Sequence, residues 1–101
     1  MILYHATTAK NLKSILNKGL LTSKTKPDAK LKGVWLHSFS DRFWATLHIQ
    51  KRHSVHLDKV IIITVSVRKK DLRRYRKGIY VSKCDISPEN FKGFIFVADW
   101  I

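Results

Sequence analysis

At 101 residues, 45% of them hydrophobic, the chain can bury one modest core, and it is too short for a doubly wound dinucleotide domain with a second domain beside it. Twenty Lys and Arg stand against seven Asp and Glu, a formal charge of +13 that draws the protein toward polyanions. A single cysteine, Cys84, excludes an internal disulfide and a Cys-rich zinc site, and fits a reducing compartment. No apolar run reaches the roughly 18 residues of a membrane span and the N-terminus has no secretory layout, so a soluble, cytoplasmic protein without a membrane partner is expected.

The chain opens with a short apolar strand through Leu3, Tyr4 and His5. A helix over Ala9 to Lys18 follows, because Leu12, Ile15 and Leu16 share one helical face, Thr7 or Thr8 can cap its start and Gly19 can cap its end. His5 therefore sits where a strand hands over to a helix, a position that faces a cleft or else holds a partly buried structural histidine. Leu21 to Lys32 reads as a lysine-rich surface loop with Pro27 and Asp28. A second strand is expected over Gly33 to Ser38, and a second helix over Arg42 to Lys51 after Ser40 or Asp41, with Phe43, Trp44, Leu47 and His48 on its inner side. Val60 to Val67 is the clearest strand, apolar enough at its start to be central in a sheet. The basic segment Lys69 to Arg76 is expected to turn once or twice as a helix. Strands over Gly78 to Ser82 and Phe94 to Val97 follow, with a helix start at Ser87-Pro88-Glu89 between them. This order predicts a single α+β domain over residues 1–101 with two main helices and a small, split, mixed β-sheet.

The spacing Tyr4-His5-x-Thr7-x(4)-Leu12-x(2)-Ile15-x(3)-Gly19-Leu20 resembles the opening of the ADP-ribosyltransferase superfamily. Gly33-Val34-Trp35-Leu36-His37-Ser38-Phe39, with Ala45 downstream, is similar to that family's second motif, and Val60 to Val67 to its core strand. Asp71-Leu72, Gly78 to Val81 and Asp85 to Phe91 look like its crossover, closing strand and Ile-x-Pro turn. The resemblance covers nearly the whole chain in the family's order. It implies an ADP-ribosyltransferase-like fold that binds NAD, with His5 on a ribose, Ala6 and Thr7 on the nicotinamide amide through the backbone, and Trp35 stacking nicotinamide beside Ser38. His5 and His37 are then the candidate catalytic groups, His37, Ser38 or a lysine serving the acceptor side.

The chain departs from the family at one position. Members that modify protein side chains carry a glutamate entering the strand before the Ile-x-Pro turn, and here that region holds Lys77, Gly78 and Ile79. The lone glutamate, Glu89, falls inside the turn. RNA 2'-phosphotransferases of the same superfamily lack that glutamate, although this chain lacks their separate RNA-binding domain and has Trp35 where they have histidine. An anionic phosphate acceptor needs cations rather than a general base. The expected function is thus NAD-dependent transfer of ADP-ribose, or of a phosphate by way of NAD, with nucleic acid as substrate. The alternative is a basic, non-catalytic module that binds DNA, RNA or an acidic protein.

Two basic tracts support the polyanion. Lys10, Lys13, Lys18, Lys24, Lys26, Lys30 and Lys32 are opposed by Asp28 alone, and Arg68, Lys69, Lys70, Arg73, Arg74, Arg76 and Lys77 by Asp71 alone. The second tract is the candidate nucleic-acid surface, acting through phosphate contacts that position a strand without reading it. His48, His53, His56 and Asp58 match no established metal signature, and no metal site is assigned. Trp35, Trp44 and Trp100 with Phe39 and Phe43 can stack bases or fill a core. Cys84 beside Lys83 is read as an ordinary thiol.

Overall fold

The elements run β1 (Ile2–Thr8), α1 (Ala9–Lys18), β2 (Val34–His37), α2 (Arg42–His53), β3 (Val60–Ser66), β4 (Leu72–Arg76), β5 (Ile79–Ser82) and β6 (Phe91–Phe96), in a computed structural model that describes residues 1–25 and 29–100. The expected loop residues Pro27 and Asp28 lie outside the described residues, as does Lys26. The strands form one sheet in the order β4-β5-β2-β1-β3-β6, and every neighbouring pair is antiparallel. The expected mixed, split sheet is therefore corrected to a single antiparallel one. After β1 and helix α1 the chain re-enters the sheet as β2 in the opposite direction, so no parallel crossover forms.

β3 is buried along Val60, Ile61, Ile62, Ile63 and Val65 because helices cover both faces of the sheet above it. Ile61, Ile63 and Val65 join Leu3, Leu20, Val34, Leu36 and Ile86 under Ala9, Leu12 and Ile15 of α1. Val60 and Ile62 point the other way, to Ala6, Ala45 and Val97, under Ile49 of α2. Helix α1 begins after Thr8, whose side chain makes no capping bond, and ends at Gly19. Gly19 has φ +91 and ψ −173, a region only glycine enters at ease, and a side chain there would collide with the Ile86 carbonyl of the bridge Leu20↔Ile86.

Two local expectations are corrected. Phe43, Trp44, Leu47 and His48 do not form the inner side of α2: Ala45 and Thr46 are the residues buried against the sheet, and those four are exposed. The basic segment is not a helix. A 3₁₀ turn at Lys69–Asp71 leads into strand β4, which pairs with β5 from Leu72↔Ser82 to Arg76↔Ile79 around the turn at Lys77 and Gly78. Gly78, at φ +80, supplies the positive torsion that closes this hairpin, and pairing with β5 outweighs the weak helical pattern of the arginines. The helix start at Ser87 likewise amounts to one 3₁₀ turn, Pro88–Asn90.

Candidate functional site

β1 and β2 share one register pair, Tyr4↔His37, whereas β1 pairs with β3 over seven residues. Beyond Tyr4 the two strands diverge, and His5 stands in the gap with its Nδ1 2.8 Å from the Trp35 carbonyl oxygen. A carbonyl can only accept, so Nδ1 carries the hydrogen and Nε2 keeps a lone pair. Burial lowers the His5 pKa below its ordinary 6.5, with the bond to Trp35 opposing the shift. At neutral pH His5 is an uncharged ring with one fixed donor and one free acceptor.

The divergence opens into a cleft of about 880 Å³. Asn11, Ser14 and Ile15 of α1 form one wall and Trp44, Leu47, His48, Lys51 and Arg52 of α2 another, with residues of β1 and β2 and with Leu20, Lys24 and Lys30 between them. His37 lies at its base beside His5 and His48. Its pKa is lowered to about 4, chiefly by burial and then by His5, against the pull of Asp41. Its Nδ1 is buried with no hydrogen-bond partner among the described residues. No carboxylate lines the cleft among the described residues, whereas Lys24, Lys30, Lys51 and Arg52 do. The cavity is thus a cationic slot with neutral imidazoles at its floor.

Of the residues singled out in the sequence, His5, Ala6, Thr7, Trp35 and His37 all line this cleft. Alternation from the Tyr4↔His37 pair puts Trp35 and His37 toward the α2 face and His5 toward the α1 face, and the divergence lets both faces contribute to one cavity. The Trp35 indole is already oriented: Nε1 donates to the Leu31 carbonyl at 3.1 Å, and Tyr75 meets the ring edge-on at 5.0 Å between centroids. Ser38 does not line the cleft. Its hydroxyl donates to Asp41 at 2.8 Å at the entrance to α2, and its backbone N–H to the Gly78 carbonyl.

Sequence reasoning missed the outer half of α2. Phe39, Phe43, Trp44 and Leu47 are 58, 51, 69 and 55% exposed, an unusual concentration of apolar surface, and Trp44 and Leu47 reach the cleft mouth. The Arg42 guanidinium covers the Phe39 ring at 3.6 Å. The signal was present in Phe43, Trp44 and Leu47, but the same spacing describes a core stripe.

None of the seven residues of the basic tract lines the cleft. Arg73 and Arg74 are successive residues of the edge strand β4, so they face opposite sides of the sheet. Arg68 is engaged by Asp71 at 3.1 Å. Among the described residues no group of three or more His, Cys, Asp or Glu is arranged to hold a metal. His56 and Asp58 lie outside the cleft, which His48 and His53 line. Cys84 is exposed, its Sγ 3.8 Å from an Asp71 oxygen. Among the described residues no helix is long and apolar enough to cross a membrane. No protein-family model matches the chain, and no curated protein matches it either.

Proposed function

We propose that the protein binds NAD in the cleft between β1 and β2 and transfers ADP-ribose, or a phosphate by way of NAD, with a nucleic acid as partner substrate. The observation that carries this reading is the insertion of a neutral His5 between diverging strands, at the floor of a cationic slot. A volume of about 880 Å³ is in the range of small-molecule and cofactor sites. The free Nε2 of His5 is suited to accept from a ribose hydroxyl, and the unpartnered His37 Nδ1 can pair with a polar group that enters. Lys24, Lys30, Lys51 and Arg52 supply counter-charge for a pyrophosphate. NAD, when bound, supplies an activated ribose carbon from which nicotinamide departs. The chain's part is to hold the dinucleotide, exclude water with the α2 wall and hold the acceptor with cations. A phosphate acceptor is consistent with a cleft that no described carboxylate lines, because it arrives as an anion and needs no general base.

The same observation favours a second reading, in which the fold binds nucleic acid without transfer chemistry. Glu89 is exposed in the Pro88–Asn90 turn and does not line the cleft, so it supplies no general base there. Calorimetric titration with NAD, and assay of nicotinamide release with and without RNA or DNA, separates the two. On the transferase reading His5→Ala weakens NAD binding by about 1 to 3 kcal/mol, the cost of a lost buried hydrogen bond, in a protein that stays folded. Unchanged affinity in a folded variant removes His5 from the site, and NAD binding with no nicotinamide release under any condition leaves the binding module.

A further inference from the structure

A second pocket, of about 420 Å³, is lined by Thr22, Leu31, Lys32, Arg73, Val81 and Lys83. We propose that it is a phosphate-binding subsite for single-stranded nucleic acid. Its three cations come from three separate segments: Lys32 from the approach to β2, Arg73 from the edge strand β4, and Lys83 from the end of β5. Among the described residues no carboxylate lines it, and the two neighbouring acids already hold donors, one of them the backbone of the lining residue Thr22. Asp71 holds the Arg68 guanidinium at 3.1 Å, and Asp85 accepts the Thr22 backbone N–H at 2.7 Å. One guanidinium fork and two mobile ammonium groups around one concavity form a site for a tetrahedral dianion or a diester.

The neighbourhood points to a single strand rather than a duplex. Leu31 and Val81, two of the lining residues, are each tied to Trp35, the first by the indole hydrogen bond and the second as its register partner across β2 and β5. Trp35 in turn meets Tyr75, which stands at the irregularity between Arg74 and Arg76. Neither ring is fully buried, and the Arg76 guanidinium lies 5.0 Å from the Tyr75 centroid. An aromatic pair flanked by cations beside a phosphate pocket offers stacking to unpaired bases, whose faces a duplex conceals. Trp35 also lines the larger cleft, so a strand anchored by one phosphate in the pocket carries its adjoining nucleotide toward His5 and His37. This inference rests on the nucleic-acid half of the proposed function and is independent of NAD.

The experiment uses fluorescence anisotropy with labelled oligo(dT) and oligo(U) of about 12 nucleotides, and a duplex of the same length, in the absence of NAD. Replacing the pocket cations together, Lys32→Gln with Arg73→Gln and Lys83→Gln, is compared with an equal loss of charge outside the pocket, Lys69→Gln with Lys70→Gln and Arg74→Gln. The pocket variant is expected to lose about tenfold in single-strand affinity and about 1 to 2 in the slope of log affinity against log salt, with the outside variant losing less than about threefold. Equal losses in the two variants overturn the pocket and leave diffuse charge. Duplex binding as tight as single-strand binding overturns the choice of ligand. The single changes Lys32→Gln and Lys83→Gln, both at exposed side chains, give the same comparison if the triple variant does not fold. NAD titration of the same variants separates the two readings: lost strand binding with intact NAD binding supports the pocket, and absence of NAD binding in the unmodified protein fails the transferase while leaving the strand measurement decisive.

Discussion

Neutral imidazoles in a cationic cleft carry a cost that appears as pH dependence. The His37 pKa stands near 4 in the fold against an ordinary 6.5, because burial, His5 and His48 disfavour its charged form more than Asp41 favours it. Well above pH 6.5 the ring is neutral in both the folded and unfolded chain. As pH falls toward 4 the unfolded chain takes up the proton first, so stability declines across that window. His5 acts in the same direction. One pKa unit corresponds to about 1.4 kcal/mol, and discounting for the part-exposed ring leaves a loss of about 1 to 3 kcal/mol from His37. Denaturant unfolding followed by circular dichroism between pH 7 and pH 4 tests this, with His37→Gln expected to show a visibly flatter profile. A variant as pH-sensitive as the unmodified protein assigns the decline to other groups. His37 ends β2 as the sequence suggested, whereas His5, expected where the first strand hands over to the helix, lies in the middle of β1, which runs on to Thr8. Their tautomers and neutrality were not legible in the sequence, since those depend on a carbonyl 30 residues away and on which rings become neighbours.

Helix α2 shows how a periodic pattern can point the wrong way. Phe43, Trp44 and Leu47 form an apolar stripe, and so do Ala45 and Ile49 a short rotation away. Small side chains win the sheet side because they let the helix approach Ala6, Val60 and Ile62 closely, and bulky ones are left at the surface. The measurable consequence is an inverted mutational profile. Trp44→Ser together with Leu47→Ser is expected to change unfolding free energy by no more than about 0.5 kcal/mol per site, as for surface positions. Ala45→Leu, which forces extra volume between helix and sheet, is expected to cost about 1 to 3 kcal/mol. Chemical denaturation of the two proteins decides it, and a large loss from the serine pair would return the bulky residues to the core. By contrast α1 was read correctly from its bounds, because one stripe and a terminal glycine leave a single solution. The strand β4 was missed because its pairing partner β5, not its own composition, determines its conformation.

On the scale of the whole molecule the sheet is two three-stranded halves, β4-β5-β2 and β1-β3-β6, joined in the ladder at Tyr4↔His37. They are held together mainly on the α1 face, where Val34, Leu36 and Tyr80 of one half pack with Leu3, Ile61, Ile63 and Val65 of the other. On the opposite face α2 packs on β1 and β3, and among the described residues the β4-β5-β2 half has no equivalent helical cover. The elements up to β3 could be read from apolar runs, and β3 is an interior strand as its composition suggested, although it lies beside the edge strand β6 and not at the centre of the sheet. The narrow junction could not be read, since register between distant strands leaves no local trace in composition. Such an arrangement predicts unequal stability. Amides of Ile61 to Val65 should exchange only through global unfolding, while those of β4 and β5 should exchange at least about tenfold faster through opening of their half alone. Native-state hydrogen exchange read residue by residue by NMR measures this directly, and uniform protection across all six strands would show that the junction is not a weak point. A ligand seated between β1 and β2 contacts both halves, so it must raise the opening free energy of the weaker one. At a concentration of about 100 times its dissociation constant, NAD should slow exchange in β2 and β5 by the equivalent of about 2.7 kcal/mol if the open form does not bind it. Slowing confined to β1 and β3 would place the dinucleotide elsewhere than in the cleft between β1 and β2.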